Sequence, residues 1–289
     1  MRGTISTGFR APTPGQLEST RVSQGLDTET LTLFTSGRLS PSSPVAQYFG
    51  ANALQAEESQ SYTLGLTFRN NLGFNGSIDV YQIDVDNRFG ESQRFTVTDD
   101  IRQELIAQGV AGAESFTSVS FYTNAFDTRT RGIDLAAHYQ FNTNSGDVRL
   151  AGAINYNDTK VLSQNGNISE YGVTRIEDGL PNWNANISAT WRINDWELYA
   201  RARYFGEWTD SAAQDSGDIY QNFGAEVLFD VAATWHVSNH LSIKLGAENV
   251  FDSYPDEATF QANRGLIYSR NAPYDTDGGQ YYLRFDYGF

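Results

Sequence analysis

The sequence predicts an all-β chain: a transmembrane, antiparallel, up-and-down β-barrel contributing about ten strands here. Three observations predict it. Segments of about 10 residues, long enough to cross a bilayer as tilted strands, alternate apolar with polar side chains. Aromatic residues gather near the ends of the apolar faces, with small aliphatic residues between them. Tight and long connections alternate along the chain.

The strands follow in order. Residues 2–9 are the weakest, with Ile5 and Phe9 on the apolar side. Residues 59–70 set Tyr62, Leu64, Leu66 and Phe68 against Thr63, Gly65 and Thr67. In 73–86 the apolar phase switches near Val80–Tyr81, from Phe74, Ile78 and Val80 to Ile83 and Val85. A β-bulge or a strand that ends early would produce this. Residues 118–142 form one long strand whose second half presents Ile133, Leu135, Ala137, Tyr139 and Phe141. Next come 147–157, 182–193 with Trp183 and Trp191, and 196–208 with Trp196 and Trp208 at its ends. Residues 225–237, 240–251 and the terminal GQYYLRFDYGF at 279–289 complete the set.

Tight turns are expected at Asn70–Leu72, Asn142–Gly146, Asn194–Asp195 and Ser238–Asn239. Long connections cover about 10–58, 87–117, 158–181, 209–224 and 252–278. If the tight turns are periplasmic, the last strand runs inward and Phe289 reaches the inner aromatic belt. Within the loops, TDDIRQELIAQGV at 98–110 reads as a short helix. Asp99 and Asp100 lie in its first turn, Ile101 and Leu105 share a face, and Gly109 caps its end. A soluble sandwich has no reason to repeat this belt and connection pattern.

Composition removes other classes. With no cysteine, neither a disulfide framework nor a thiolate metal site can form. A net charge of -15 repels phosphate and argues against nucleic acid. No run of about 18 apolar residues is present, so no helix is expected to cross a membrane. No nucleophile–base pair, phosphate loop or metalloprotease helix appears, so an enzyme is not expected, and no cofactor is implied. DVDNRFG at 84–90 fails as a calcium loop, because Arg88 holds the fifth position and no Glu the twelfth; a strand end entering a loop is the expectation. His138, His236 and His240 lack ligand spacing, so no metal site is expected.

Six phrases in order carry a family resemblance: STGFRAPTPGQL (6–17), ALQAEESQSYTLGL (53–66), DVYQIDVDNRF (79–89), YTNAFDTRTRGIDL (122–135), LGAENVFDSYPDE (245–257) and YYLRFDYGF (281–289). Together they resemble the C-terminal barrel of TonB-dependent outer-membrane receptors of Gram-negative bacteria. Such receptors are plugged barrels of about 22 strands. The resemblance implies that residues 1–289 are the C-terminal part of such a barrel, without the plug, the energy-coupling box or the signal peptide. It implies active import of a scarce small-molecule cargo, a ferric siderophore first, with cobalamin, sugars or haem as others. No His lies between residues 13 and 57, after the FRAP phrase, which disfavours haem. The implied partners are outer-membrane lipid and lipopolysaccharide, the plug and remaining strands, and a periplasmic energy-transducing protein. Two alternatives stand beside it: a complete, passive ten-stranded porin-like barrel, and a soluble β-rich binding protein.

The candidate site residues are polar positions facing the lumen. A two-residue turn at Asn194–Asp195 sets Arg192 opposite Glu197 as a structural cross-strand pair, Arg201 opposite Ser188 and Arg203 opposite Asn186. Arg201 and Arg203 show no obvious partner. Either they touch the plug or an anionic cargo, or they join a salt-bridge network in the lumen. Charge reversal at Arg203 is then expected to lower uptake without lowering barrel yield. His138 is a further lumen candidate. In the long connections Asp and Glu outnumber Lys and Arg more than twofold, which argues against capture of a strongly anionic cargo by the outer loops alone.

Overall fold

The computed structural model describes residues 1–26, 31–164, 168–212, 219–261 and 265–288, so Phe289 and its place in the inner belt lie outside the described residues. Strand β1 (Arg2–Arg10) leads through α1 (Pro14–Glu18), the hairpin β2–β3 (Arg21–Leu26, Leu33–Leu39) and α2 (Pro44–Tyr48) to β4 (Glu57–Arg69). A tight turn joins β4 to β5 (Phe74–Glu91). Then β6 (Phe95–Thr96), α3 (Asp99–Ala107) and a 3-10 turn precede β7 (Ser118–Thr143), which turns tightly into β8 (Gly146–Gln164). Helix α4 (Glu170–Glu177) leads to the hairpin β9–β10 (Trp183–Ile193, Trp196–Phe205). A small hairpin, β11–β12 (Trp208–Ala212, Ile219–Phe223), comes before β13 (Glu226–His236), β14 (Leu241–Glu248) and β15 (Gln280–Tyr287).

Ten of these strands form one antiparallel wall in the order β1-β4-β5-β7-β8-β9-β10-β13-β14-β15. Among the described residues β1 and β15 do not pair, so the wall is open. Cross-strand partners share a face, and the register lines up whole rows. Leu64, Val80, Ile133, Tyr156 and Trp183 make one apolar row. One residue along, Gly65, Asp79, Asp134, Asn155 and Asn184 make a hydrophilic one that ends at Phe205.

The apolar face is uncovered. Ile187 is 60% exposed and Leu245 61%. Rings pair into two belts on it: Phe68 stacks on Phe74 and Tyr139 on Phe141 near the tight turns, while Tyr156 meets Trp183 at the far side. Buried apolar residues lie instead among the connections. Leu39, Val45, Leu105, Val119 and Phe121 form a small core where the first two long loops pack on the outer end of β7. A sandwich buries its sheet face under a second sheet. This face has no cover, as a wall in lipid requires.

Three expectations are corrected. The phase switch at Val80–Tyr81 is neither a bulge nor a strand end, because β5 stays in register from Phe74 to Val85. There the strand passes out of the apolar band. Gln82 and Asp84, on the outward face, bond Arg131 and Arg129 of β7, so polar side chains continue that face while Ile83 and Val85 turn inward. The bulge comes later, between Val85 and Phe89, with Asn87 at φ 56. The DVDNRFG segment is therefore bulged strand continuing to Glu91, not a strand end. Trp208 is not a belt residue. It is 3% exposed and stacks on Phe223, 4.3 Å between ring centroids, beneath the last long loop. The weak first strand is paired with β4 along its whole length, from Arg2–Gly65 to Arg10–Glu57.

The helix at α3 has Thr98 at its N-cap, accepting from the Ile101 N–H, and buries Leu105. Gly109 follows at φ 74, the left-handed conformation that glycine adopts without strain. At the β4–β5 turn Gly73 has φ 87, and a Cβ there would stand 2.1 Å from the Gln140 carbonyl.

An arginine placed at Ile187 should cost about 2–4 kcal/mol, the penalty for a cation near the bilayer midplane. The same change at neighbouring Asn186, on the other face, should cost little. Urea titration of the heat-modifiable band measures both, and equal losses would refute the two-faced wall.

Candidate lumen wall

The polar face carries the candidate residues. Its best-held point is Asp230 on β13, whose side chain is 4% exposed. Arg201 lies directly opposite on β10 and donates from Nε to Oδ2 at 2.7 Å. Arg203 grips both oxygens, Nε to Oδ2 and Nη2 to Oδ1, each at 2.9 Å. The Asn249 N–H donates to Oδ1 at 2.9 Å. One carboxylate thus ties β10, β13 and the end of β14 with charge-assisted bonds. Arg201 and Arg203 do have a partner, which corrects the expectation that they lack one. Sequence reasoning missed it because Asp230 reaches β10 only across the long connection after Phe205, which fixes no register. Charge reversal at Arg203 would set a carboxylate against Asp230, so it would lower barrel yield as well as any uptake.

Two similar clamps flank the first strand. Arg2 reaches Asp79 at 2.6 Å over Gly65, where a Cβ would stand 2.0 Å from the Asp79 oxygen. Arg10 forms a bidentate pair with Glu57, at 2.6 and 2.7 Å, and lies over the Phe89 ring. Glu57 also accepts from the Phe89 N–H. Nearer the tight turns, Arg192 Nε stands 2.7 Å from Glu197 Oε2, the two residues directly opposite in register. His138 faces Asn75 at 3.1 Å and Ala151, away from the arginine cluster.

Between these clamps the wall is amide-rich. Asn155 donates to Asp134 and reaches the Tyr81 hydroxyl; Asn157 donates to Asn155 at 2.8 Å. Asn184 lies opposite Asn155, and Asn186, two residues along β9, is exposed. Tyr81 lies across Gly132, whose missing side chain makes the room. Sequence reasoning passed over this patch because each Asn alone reads as an ordinary polar strand position; the register assembles them. Tyr274, from the last long loop, packs on Phe205 at the edge of the patch, 4.9 Å between centroids. Burial, helped by Glu226 and Asp256, pushes its hydroxyl up to about 12. Among the described residues no group of His, Cys, Asp and Glu could hold a metal ion. A concavity of about 900 Å³ lined by Ile5, Leu64, Val80, Ile133 and Tyr156 belongs to the lipid face, since those residues lie in the apolar rows.

A family model described as TonB dependent receptor-like, beta-barrel, matches residues 1–250. The chain belongs to the TonB-dependent receptor β-barrel family. Members of the family are receptors and transporters of the Gram-negative outer membrane. The chain is similar in fold to the ferric enterobactin receptor PfeA of Pseudomonas aeruginosa, with TM-score 0.62 and 16% identity, covering 99% of this chain and 38% of that one. It is similar to the copper transporter OprC, with TM-score 0.60 and 14% identity, covering 99% and 36%. The FrpB iron transporter of Neisseria meningitidis gives TM-score 0.57 and 14% identity, covering 82% and 32%. The chain thus spans little more than a third of the length of such receptors. No individually curated protein matches it.

Replacing Asp230 with Ala should cost about 3 kcal/mol. This is the low end for removing one partner of a buried pair, because both guanidinium groups keep some solvent contact. The loss should appear as a lower midpoint of the heat-modifiable transition, and an unchanged midpoint would show that the cluster carries no stability.

A second test lies in the β14–β15 loop. The Gly279 N–H, and after it the Tyr254 hydroxyl, hold the Asp252 carboxyl below its ordinary value. A depressed carboxyl stabilises above its unfolded value of about 3.9 and loses that contribution as the pH falls through the lower folded value. Hydrogen exchange at the Gly279 amide, corrected for the intrinsic rate, should be protected at neutral pH and lose protection below about pH 4. Protection that stays flat with pH would remove Asp252 from that role.

Proposed function

We propose that residues 1–289 are one stretch of barrel wall in a TonB-dependent receptor that imports a scarce nutrient, with a ferric siderophore as the cargo. The single observation that carries the reading is the two-faced wall. An uncovered apolar face with aromatic belts backs onto a hydrophilic face pinned by Asp230, below loops that have a packed core of their own. Such a wall fits lipid on one side and a plug with its cargo on the other. The iron and ferric-siderophore receptors among its structural relatives support iron as the nutrient.

The lumen places of Arg201, Arg203 and His138 support contact with the plug, the arginines acting from within the Asp230 cluster. Outer-membrane lipid and lipopolysaccharide would meet the apolar rows, and the remaining strands would meet the unpaired edges of β1 and β15. A passive ten-stranded barrel requires those edges to join, and among the described residues they do not.

Deleting the gene should abolish uptake of the ⁵⁵Fe-labelled cognate siderophore under iron limitation, and so should removing the energy-transducing protein. Uptake that persists without energy coupling would replace this reading with the passive barrel.

A further inference from the structure

The lumen wall is arranged against negative charge. In the stretch that carries the asparagines, the lumen-facing cations are Arg2, bonded to Asp79, and Arg201 and Arg203, which share Asp230. The same stretch holds Asp134, which accepts from an amide and not from a cation, and Glu226, which lies beside Tyr274. Among the described residues the cations on this face that bond no carboxylate, Arg69, Arg149 and Lys244, stand close to the tight turns, at the opposite end of the strands. What the upper wall offers a ligand is neutral hydrogen bonding. Asn186 is exposed, and Asn184 lies opposite Asn155; its amide donates to the Pro181 carbonyl, and among the described residues nothing donates to its own carbonyl oxygen. Above them Tyr274 lies on Phe205. Acidic outer loops stand over all of this on a chain of net charge -15. A cleft lined by one sign of charge concentrates ligands of the other sign or none, and repels its own.

We propose that the Asn155–Asn184–Asn186 patch is a cargo-contact surface that selects a ferric chelate without net negative charge. This rests on the reading of the chain as part of an iron importer and adds the class of chelate. Iron(III) bound by three singly charged hydroxamates is neutral. Bound by three doubly charged catecholates it carries three negative charges. The neutral complex presents amide and hydroxamate oxygens and N–H groups, which asparagine side chains satisfy as both donor and acceptor. The anionic complex would need unpaired arginine or lysine at this level.

The test uses the receptor that carries this chain, in outer membranes of a host that makes no siderophore of its own. Two probes are compared, ferrichrome as the neutral trihydroxamate and ferric enterobactin as the tricatecholate, by fluorescence-quenching affinity and by ⁵⁵Fe uptake. Ferrichrome should bind at least 100-fold more tightly, and Asn186→Ala should weaken it up to about tenfold, the worth of one hydrogen bond, at unchanged barrel yield. Asp134→Lys should narrow the gap by improving enterobactin binding. Equal or tighter binding of enterobactin to the unmutated receptor would overturn the charge inference and leave the import reading intact. Binding of ferrichrome untouched by Asn186→Ala and by Asn184→Ala would overturn the placement of the site. Binding of neither chelate would overturn this inference alone, the import reading being decided by its own energy-coupling test.

Discussion

Hydrocarbon offers no hydrogen bonds, and the wall follows from that. Each backbone N–H and C=O in the apolar band must find a partner within the protein, and a sheet of long paired strands supplies them strand to strand. Once the strands are paired, the period of two in side-chain direction divides every segment into a face for lipid and a face for water. The exposed leucines, isoleucines and aromatics that would be a liability in a soluble sheet become its solvent-facing surface. The polar residues opposite them become a wet interior. The change along β5 obeys the same rule: outward apolar side chains stop at Val80, where the strand leaves the band, and Gln82 and Asp84 continue the row with partners on β7.

A wall whose apolar face looks outward has no core beneath it to lock neighbouring strands. The polar face does that work instead. Asp230 draws β10, β13 and β14 together, the Arg2–Asp79 pair spans β4 over a glycine, and Glu57 joins β1, β4 and β5. Each pair sits on the water side, where the desolvation cost of charge is moderated by the lumen, and each carboxylate is largely buried, which shields the bond from competing water. The loops follow ordinary rules. They pack Leu105, Val119 and Phe121 into a small hydrophobic core, giving the outer surface its own fixed shape.

Much of this was legible in the chain. Alternation at Tyr62–Phe68, Ile133–Phe141 and Trp183–Ile193 located strands and faces, because the period of two is a local property that needs no partner. Asp99, Asp100 and Gly109 announced α3, because helix-end signals are settled within one or two turns of backbone. The Arg192–Glu197 juxtaposition was readable, because a two-residue turn fixes the register of its own hairpin. Trp208 was misread, because the same aromatic suits a lipid belt or a loop core and only the loop that folds over it decides which. The partner of Arg201 and Arg203 was hidden by the connection after Phe205, which sets no register. The asparagines were hidden because Asn155 and Asn184 become neighbours only when β8 and β9 align.

The sequence by itself determined the class of wall, the number and order of its strands and the side of each that meets lipid. These depend on residue spacing along single segments, and hydrophobic transfer acts on each segment independently. Only the tertiary structure decided which lumen charges are satisfied and which polar groups stand together. Cross-strand register beyond tight hairpins is set by the packing of the whole sheet and its loops, and a shift of one residue would send each of those side chains to the opposite face.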